Sequence, residues 1–231
     1  MSELIFLDLE TTGLEAKDRI CEIGFIANEK SFHTFCKSEK KIGTQAMSVH
    51  HITNEMIKDA CVCQETQTYK ALQSYNSKEN VLVAHNINFD LEMLKKEGFE
   101  ADFEIIDTLR CVKALIPECE QFNLQYLRYE LLLYKEEKTL ANELGLELQE
   151  HRALSDALHT KLLYEVLLQY ATLSQLIEIS SKPVLMDKLL FGKYRGHYIE
   201  EIAELDSSYL HWLMGLEDID EDLAYSIKQY L

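Results

Sequence analysis

Several features that would assign a chain to a membrane, secreted or repetitive class are missing from these 231 residues. No run of about 18 apolar residues is present, so no segment is expected to span a membrane. The N-terminus reads Met1-Ser2-Glu3, with no basic segment ahead of an apolar stretch, and so shows no signal peptide. The chain has only two prolines, no internal repeat and no low-complexity tract. We expect a cytoplasmic globular protein without a membrane partner.

Basic residues are also scarce. The sequence has 23 lysines and arginines against 40 aspartates and glutamates, which gives a net charge of −17. This balance argues against binding along a nucleic-acid duplex, because such binding requires many Lys and Arg contacts to phosphates. It leaves open an enzyme that holds only a strand end through metal ions, since that enzyme requires a local rather than a global positive field.

The cysteines lack the spacing of a zinc site. Cys61 and Cys63 are separated by one residue, which is too close for easy bridging, and no second pair completes a metal site. The six cysteines are therefore expected to be reduced and mostly packed in the interior, as in a cytosolic protein.

Hydrophobic residues make up 47% of the chain, which is enough for one large domain or for one large and one small domain. Strands are predicted over residues 4–9, 19–28, 31–37, 80–85 and 104–109. Helices are predicted in part of 49–60, after residue 85, and over 123–134, 136–144 and 155–173, the last with Ser155 as its N-cap. Strands first, then strands alternating with helices, predict an α/β domain with a mixed sheet.

The best candidate for a linker is Ile179-Ser180-Ser181-Lys182-Pro183, which holds one of the two prolines. We therefore divide the chain into a domain of residues 1–175, a linker of residues 176–186 and a small C-terminal α+β module of residues 187–231.

Two carboxylates lie at the end of the first predicted strand, in Asp8-Leu9-Glu10-Thr11-Thr12-Gly13. Because side chains alternate along a strand, Asp8 and Glu10 point to the same face. Two like charges on a buried strand repel each other unless a cation lies between them, and Mg²⁺ and Mn²⁺ prefer such oxygen ligands. Taken alone, the pair is more simply explained as the polar end of a strand, so the case depends on partners further along the chain.

Three further residues occur where predicted strands or loops pass into helices. Asp90 follows the buried strand at 80–85, Asp156 opens the long helix, and His151 precedes it by five residues. Five residues span about 140° on an ideal helix, so His151 and Asp156 converge only if His151 lies on the loop. Each alone has an ordinary explanation, as an acid in a first turn or as a surface histidine. Together with Asp8 and Glu10 they supply carboxylates for two Mg²⁺ ions, at junctions where α/β folds place ligands.

These ordered motifs resemble those of the DEDD exonuclease superfamily, specifically its histidine-bearing branch related to the proofreading subunit of bacterial replicative polymerase. The matching segments are Asp8-Leu9-Glu10-Thr11-Thr12-Gly13-Leu14, Ala84-His85-Asn86-Ile87-Asn88-Phe89-Asp90, His151-Arg152-Ala153-Leu154-Ser155-Asp156-Ala157 and Val49-His50-His51-Ile52-Thr53, in which His51 replaces the usual glycine. Three ordered motifs over about 150 residues make a specific signal, and no position that the chemistry requires is missing.

The resemblance implies a ribonuclease-H-like mixed sheet flanked by helices, and removal of nucleotides from 3′ ends. It assigns the binding of two Mg²⁺ or Mn²⁺ ions to four carboxylates, those of Asp8, Glu10, Asp90 and Asp156. It assigns the role of general base to His151, which suits a histidine because its ordinary pKa, near 6.5, is close to neutral pH. Two ions about 3.5–4 Å apart would clamp the scissile phosphate.

The resemblance also implies a set of substrate contacts. Thr11, Thr12 and Leu14 are expected to touch the terminal nucleotide, with Leu14 as an apolar wedge between bases. His50 and Phe89 are expected to flank that nucleotide. Both could equally be core or rim residues, and for Phe89 the core is the favoured alternative.

The C-terminal stretch Phe191-Gly192-Lys193-Tyr194-Arg195-Gly196-His197-Tyr198-Ile199 is the other unusual segment. Its two glycines would let a turn present basic and aromatic side chains to a base and a phosphate, and a turn packed against the helix that carries Trp212 is an equally good explanation. From Val184 onward four basic residues face ten acidic ones, a net charge of −6, which is unfavourable for nonspecific nucleic-acid binding. The pattern resembles the small C-terminal module of exodeoxyribonuclease X-like proteins, where it implies an accessory to substrate handling.

These features predict a Mg²⁺-dependent 3′→5′ exonuclease that acts on single-stranded or frayed DNA 3′ ends and releases nucleoside 5′-monophosphates. An exoribonuclease is one alternative, because the metal ions grip the phosphate and need not read the 2′-hydroxyl. A polymerase-associated proofreading or accessory subunit is another, with a polymerase or a repair protein as its partner. The acidic surface fits such protein contacts as well as it fits solubility.

Overall fold

The computed structural model describes residues 2–149, 151–216 and 218–231; Met1, Glu150 and Glu217 lie outside the described residues. The strands are β1 (Leu4–Thr11), β2 (Ile20–Ala27), β3 (Lys30–Phe35), β4 (Val81–Ala84) and β5 (Glu104–Asp107). They form a five-stranded sheet in the order β3-β2-β1-β4-β5. Neighbours among β1, β2 and β3 are antiparallel, whereas β4 is parallel to both β1 and β5. The predicted mixed sheet is confirmed.

Helices flank the sheet and make up the C-terminal part of the chain. Within the described residues they are α1 (Thr44–His50), α2 (Asn54–Ile57), α3 (Gln67–Tyr75), α4 (Ile87–Lys96), α5 (Thr108–Leu115), α6 (Leu124–Glu130), α7 (Glu137–Leu144), α8 (Ala153–Leu167), α9 (Leu173–Ser180), α10 (Ile199–Leu205), α11 (Ser207–Met214) and α12 (Glu221–Ile227). Short 3-10 turns cover Cys63–Glu65 and Leu133–Lys135. None of the described helices is long and apolar enough to cross a membrane.

The sheet separates two clusters of buried side chains, because residues alternate along each strand. Phe6 of β1 packs into one cluster with residues of α5, α8 and α9. Leu7 and Leu9 pack into the other with residues of α3 and α4. Asp8 and Glu10 lie at alternate positions to Leu7 and Leu9, and therefore share the face of β1 on which α8 lies.

Helix α8 begins two residues earlier than the sequence predicts. Its first amide, that of Ala153, donates to the carboxylate of Glu22 at 3.0 Å. Because this contact from another element satisfies the helix start, no side-chain cap is required, and the prediction of Ser155 as N-cap is wrong. Ser155 lies inside the first turn, where its hydroxyl accepts a hydrogen bond from the Gln149 amide at 2.9 Å.

The predicted end of the same helix belongs to a separate helix. Helix α8 stops at Leu167, and α9 begins after Thr172, whose side chain and that of Gln175 form a capping box. Helix α9 packs on β5 and α5. Residues 176–180 of the predicted linker are therefore helical, and only the residues that follow Ser180 form a connection.

The C-terminal part has a core of its own, built by seven buried residues: Leu189, Ile199, Ile202, Leu210, Leu213, Leu223 and Ile227. Its regular structure within the described residues is helical, apart from one antiparallel bridge between Lys188 and Tyr198. It therefore contains less strand than the predicted α+β module. Gly192 and Gly196 have φ values of 71° and 84°, and these left-handed positions reverse the chain after a single bridge.

Ion pairs between α5 and the first turn of α12 join the two parts of the chain. Lys113 donates to Asp222 at 2.8 Å, and both side chains are buried. Arg110 pairs with Asp222 and with Glu221. The Asp222 carboxylate also accepts the Val184 amide at 3.0 Å. Breaking a buried pair leaves an uncompensated charge, so these contacts fix the C-terminal part against α5.

Gly24 of β2 allows α8 to approach the sheet, and its substitution tests that contact. An added Cβ would lie 2.6 Å from the Leu154 nitrogen and 2.8 Å from the Ala153 carbonyl carbon. We expect Gly24→Ala to lower the free energy of unfolding by about 1–3 kcal/mol through overpacking, measured by urea denaturation. The control is Gly43→Ala, where the added Cβ meets only the Thr12 carbonyl oxygen at 3.5 Å. Equal denaturation midpoints for the two variants would contradict the close approach.

Candidate active site

Three carboxylates meet where β1 passes under the start of α8. One oxygen each from Asp8, Glu10 and Asp156 lies within 4.8 Å of the others. Asp8 and Glu10 reach from the face of β1 that α8 covers, and Asp156 belongs to the first turn of α8. Carboxylate oxygens at this spacing could hold a divalent cation such as Mg²⁺ or Mn²⁺. The structure thus brings together three of the four predicted metal ligands.

Asp90 lies beside this group but not within it. It is buried in the first turn of α4, and the backbone of Leu9, the residue between Asp8 and Glu10, lies near enough to its carboxylate to oppose the rise in its pKa. This position follows from the sheet, because α4 begins directly after β4, which is the parallel neighbour of β1. Asp90 is close enough for its charge to raise the pKa of Asp8.

The four carboxylates repel one another. Burial raises the pKa of Asp8 well above its ordinary value, and the charges of Asp156, Asp90 and Glu10 raise it further. Burial, followed by the charge of Asp156, raises the pKa of Glu10 to about 9. Burial also raises the pKa of Asp90. A divalent cation would relieve this repulsion, because it favours the ionised carboxylates.

A buried ion pair fixes the start of α8. Glu22 of β2 is fully buried and lies opposite Glu10 in the sheet. Its carboxylate accepts hydrogen bonds from Arg152 Nε at 2.9 Å and from the Ala153 amide at 3.0 Å. Burial by itself would raise the pKa of Glu22, but hydrogen bonds from His33, Arg152 and Ala153 bring that pKa below its ordinary value. Because Arg152 and Ala153 lie between His151 and Asp156 in the chain, this ion pair sets the position of both.

A second polar network holds the carboxylate of Asp156. Gln125 Nε2 donates to Asp156 Oδ1 at 2.8 Å, and His159 Nδ1 lies 3.3 Å from the same oxygen. His159 Nε2 lies 3.1 Å from Glu137, which accepts from Arg128 at 2.6 Å. Contacts of this kind orient a metal ligand. Sequence analysis missed these residues, and the only signal was the i,i+3 spacing that places Asp156 and His159 on one face of a helix.

His151 lies in the turn before α8, the loop position that the sequence argument required. It has a positive φ of 50° and a half-buried side chain. Its imidazole has no hydrogen-bond or ion-pair partner in the described part of the chain.

Three of the residues predicted to contact the substrate are buried and hydrogen-bonded within the protein, and their contact with the substrate stays a prediction. Thr11 Oγ1 donates to the carbonyl two residues further on at 2.8 Å, and Thr12 Oγ1 donates to Asp18 at 2.6 Å. His50 is only 2% exposed, and its Nδ1 accepts the Ile52 amide, so its Nε2 donates to the Thr11 carbonyl. The polar groups of these buried side chains build the turn after β1.

Leu14 and Phe89 differ in exposure. Leu14 is 83% exposed beyond the turn that follows β1, as an apolar wedge requires. Phe89 is half-buried and packs against the cluster that contains residues of α3 and α4, which favours the core alternative.

Comparison with known proteins assigns the family. Residues 5–164 match a family model described as Exonuclease, and residues 189–218 match one described as Exodeoxyribonuclease X-like C-terminal. The chain belongs to the exonuclease family, and the resemblance inferred from the motifs is confirmed.

Individual relatives extend this assignment. Exodeoxyribonuclease 10 of Escherichia coli (strain K12) is 32% identical over 238 residues, which cover 99% of this chain and 98% of that protein. DNA polymerase III subunit epsilon of Treponema pallidum (strain Nichols) is 31% identical over 134 residues, which cover 52% of this chain and 60% of that protein. A solved structure of exonuclease X in complex with 5′ overhanging duplex DNA is 25% identical, with a TM-score of 0.57, and the match covers 78% of this chain and 99% of that one.

Metal binding at the carboxylate group can be measured directly. We expect Mn²⁺ binding, followed by isothermal titration calorimetry, to be lost in Asp156→Asn because a charged ligand is removed. Gln125→Ala should weaken Mn²⁺ binding about 10–100-fold, the usual effect of removing a group that orients a ligand. Asp59→Asn, the same change at an exposed acid, is the control and should bind as the wild type does. Wild-type affinity in Gln125→Ala would contradict the orienting role.

The pKa of Glu10 makes the stability of the metal-free protein depend on pH. The ordinary pKa of 4.5 applies to the unfolded chain and a pKa of about 9 to the folded one, so the folded state binds more protons between these values. Stability should therefore fall as the pH rises through this window. In EDTA we expect the wild type to have a lower urea midpoint at about pH 8.5 than at about pH 6. The difference between the two midpoints should be smaller in Glu10→Gln. It should also be smaller in the wild type when Mg²⁺ replaces EDTA. A midpoint that rises with pH in EDTA would contradict the assignment.

Proposed function

We propose that the protein is a 3′→5′ exonuclease that depends on divalent metal ions and hydrolyses single-stranded or frayed DNA from its 3′ end, releasing nucleoside 5′-monophosphates. The observation that carries the proposal is the meeting of Asp8, Glu10 and Asp156, with Asp90 beside them, in a chain whose residues 5–164 match the exonuclease family.

Asp8, Glu10, Asp90 and Asp156 would hold two Mg²⁺ or Mn²⁺ ions. The donor set fits, because it consists of carboxylates whose mutual repulsion a cation relieves. When bound, such a pair of ions supplies the positive charge that clamps a scissile phosphate. The network of Gln125 and His159 would keep Asp156 in one orientation while the ions and the substrate bind.

His151 would act as the general base. Its imidazole would take a proton from the attacking water, whose oxygen forms a new bond to the phosphorus. The bond between that phosphorus and the 3′ oxygen of the preceding nucleotide breaks, that oxygen takes up a proton from water, and the terminal nucleotide leaves as a 5′-monophosphate. The ring is suited to this step because it has no competing partner among the described residues. The exposed Leu14 would separate the terminal base from its neighbour.

The relatives support DNA as the substrate. Exodeoxyribonuclease 10 matches almost the whole chain, and the exonuclease X structure is a complex with duplex DNA. The match to a polymerase epsilon subunit makes polymerase association a second candidate function, with a polymerase or repair protein as the partner. Action in the cytoplasm stays a prediction from the sequence.

Digestion of labelled oligonucleotides tests the proposal. With a 5′ label, digestion in Mg²⁺ should produce a ladder that shortens from the 3′ end, and single-stranded DNA should be degraded faster than matched RNA. Asp8→Asn should abolish the activity, and His151→Ala should lower it by about 10²–10⁴-fold, the usual contribution of a general base. Asp59→Asn and His211→Ala, the same kinds of change at exposed positions, are the controls.

Two outcomes would contradict this assignment. If Asp8→Asn degraded DNA at the wild-type rate, the carboxylate group would have no part in the reaction. Faster degradation of RNA than of DNA in the same assay would favour the exoribonuclease alternative.

A further inference from the structure

A cleft runs between the domain that carries the carboxylates and the C-terminal part of the chain. It consists of two cavities, of about 710 and 590 Å³. The two cavities adjoin each other, because five residues line both of them: Lys113, Glu120, Phe122, Met186 and Leu190.

The inner end of this cleft borders the candidate active site. Asn86 lines the smaller cavity and directly precedes α4, whose first turn carries Asp90. Leu124 lines the same cavity, and the next residue, Gln125, donates to Asp156. A nucleic-acid strand whose 3′ end reaches the carboxylates would therefore lie next to the mouth of the cleft.

The wall that belongs to the C-terminal part carries unpaired cations and exposed aromatic rings. Lys188 and Arg195 line the larger cavity, and neither has a carboxylate partner among the described residues. The Lys188 ammonium lies 4.8 Å from the ring centroid of Tyr198. Phe191 and Tyr198 are both about half exposed. Cations combined with aromatic faces are the groups that hold the phosphates and bases of single strands.

The opposite wall has the other sign of charge. It contains Glu118 and Glu120 beside the apolar surfaces of Pro117 and Phe122, and the remaining acid of the larger cavity is Asp187 on the C-terminal side. The two glutamates repel phosphates from this wall. A strand in the cleft would therefore turn its phosphates toward the cationic wall and its bases toward Phe122.

The net charge of −6 of the C-terminal part is compatible with a local cationic site. Three of its four basic residues lie within residues 188–195; Lys193 is paired with Asp206 and does not line the cleft, so Lys188 and Arg195 supply the local positive charge. Lys113, the third lysine or arginine that lines the cleft, is neutralised by Asp222, and that pair holds the two walls together instead of binding a ligand.

We propose that this cleft binds the single-stranded part of the substrate on the 5′ side of the scissile nucleotide, with Lys188 and Arg195 contacting its phosphates. The proposal rests on the proposed function, because it requires a nucleic-acid strand that ends at the carboxylate group.

The double variant Lys188→Ala/Arg195→Ala tests this with two substrates. A long single-stranded oligonucleotide would use the cleft, whereas the p-nitrophenyl ester of thymidine 5′-monophosphate fits only the carboxylate site. We expect KM for the oligonucleotide to rise about tenfold, and the slope of log KM against log salt concentration to fall by about 1.4, or about 0.7 for each lost phosphate contact. Hydrolysis of the ester should not change. Lys228→Ala removes a basic residue of the C-terminal part that is exposed and does not line the cleft, and this variant should behave as the wild type does.

A second double variant is expected to change KM for the oligonucleotide in the opposite direction. Glu118→Gln/Glu120→Gln removes the acids that repel phosphates and should lower KM for the oligonucleotide. A higher KM would show that these acids do not repel the bound strand and would overturn the proposal. Unchanged KM and salt slope in the lysine and arginine double variant would also overturn it, with the proposed function intact. Failure of the wild type to hydrolyse either substrate would instead reject the proposed function itself.

Discussion

Glu22 and Arg152 form a buried ion pair that joins β2 to the start of α8, and the positions of His151 and Asp156 depend on it. The same carboxylate accepts the first amide of the helix, so one side chain anchors both a guanidinium and a helix terminus. Loss of one partner would leave a buried charge unpaired, which costs several kcal/mol. Gly24, two residues further along β2, leaves room for the helix at this distance from the sheet. The contact between sheet and helix and the positions of His151 and Asp156 therefore have a common origin.

Glu10 and Glu22 show how neighbouring groups distinguish a predicted metal-binding carboxylate from a structural one. They lie opposite each other on adjacent strands, and burial acts on both in the same direction. Glu22 is surrounded by donors, which hold its pKa below the ordinary value. Glu10 faces mainly other carboxylates, which together with burial raise its pKa to about 9. The charge of Glu22 is balanced by donors of the protein, whereas the charge of Glu10 would be balanced only by a cation.

The sequence was informative where the governing pattern is local. Strand alternation placed Asp8 and Glu10 on one face, and helix periodicity required His151 to lie on a loop. It was not informative where a residue far away in the chain fixes the start of a helix or the orientation of a side chain. The start of α8 depends on Glu22, which lies 131 positions before Ala153, and the orientation of Asp156 depends on Gln125. Thr12 and His50 have polar side chains that suit a nucleotide contact, and the sequence did not predict that they are buried and hydrogen-bonded in the turn after β1.

The positive φ of His151 lowers the stability of the folded protein, and the fold does not require a histidine at this position. A residue with a β-carbon at a φ of 50° is less stable than one in the right-handed region by about 1–2 kcal/mol, and glycine avoids most of this penalty. Engineering for thermal tolerance alone would therefore replace this histidine early and gain stability from the change. The most stable form of the fold and its most active form are expected to differ at this position.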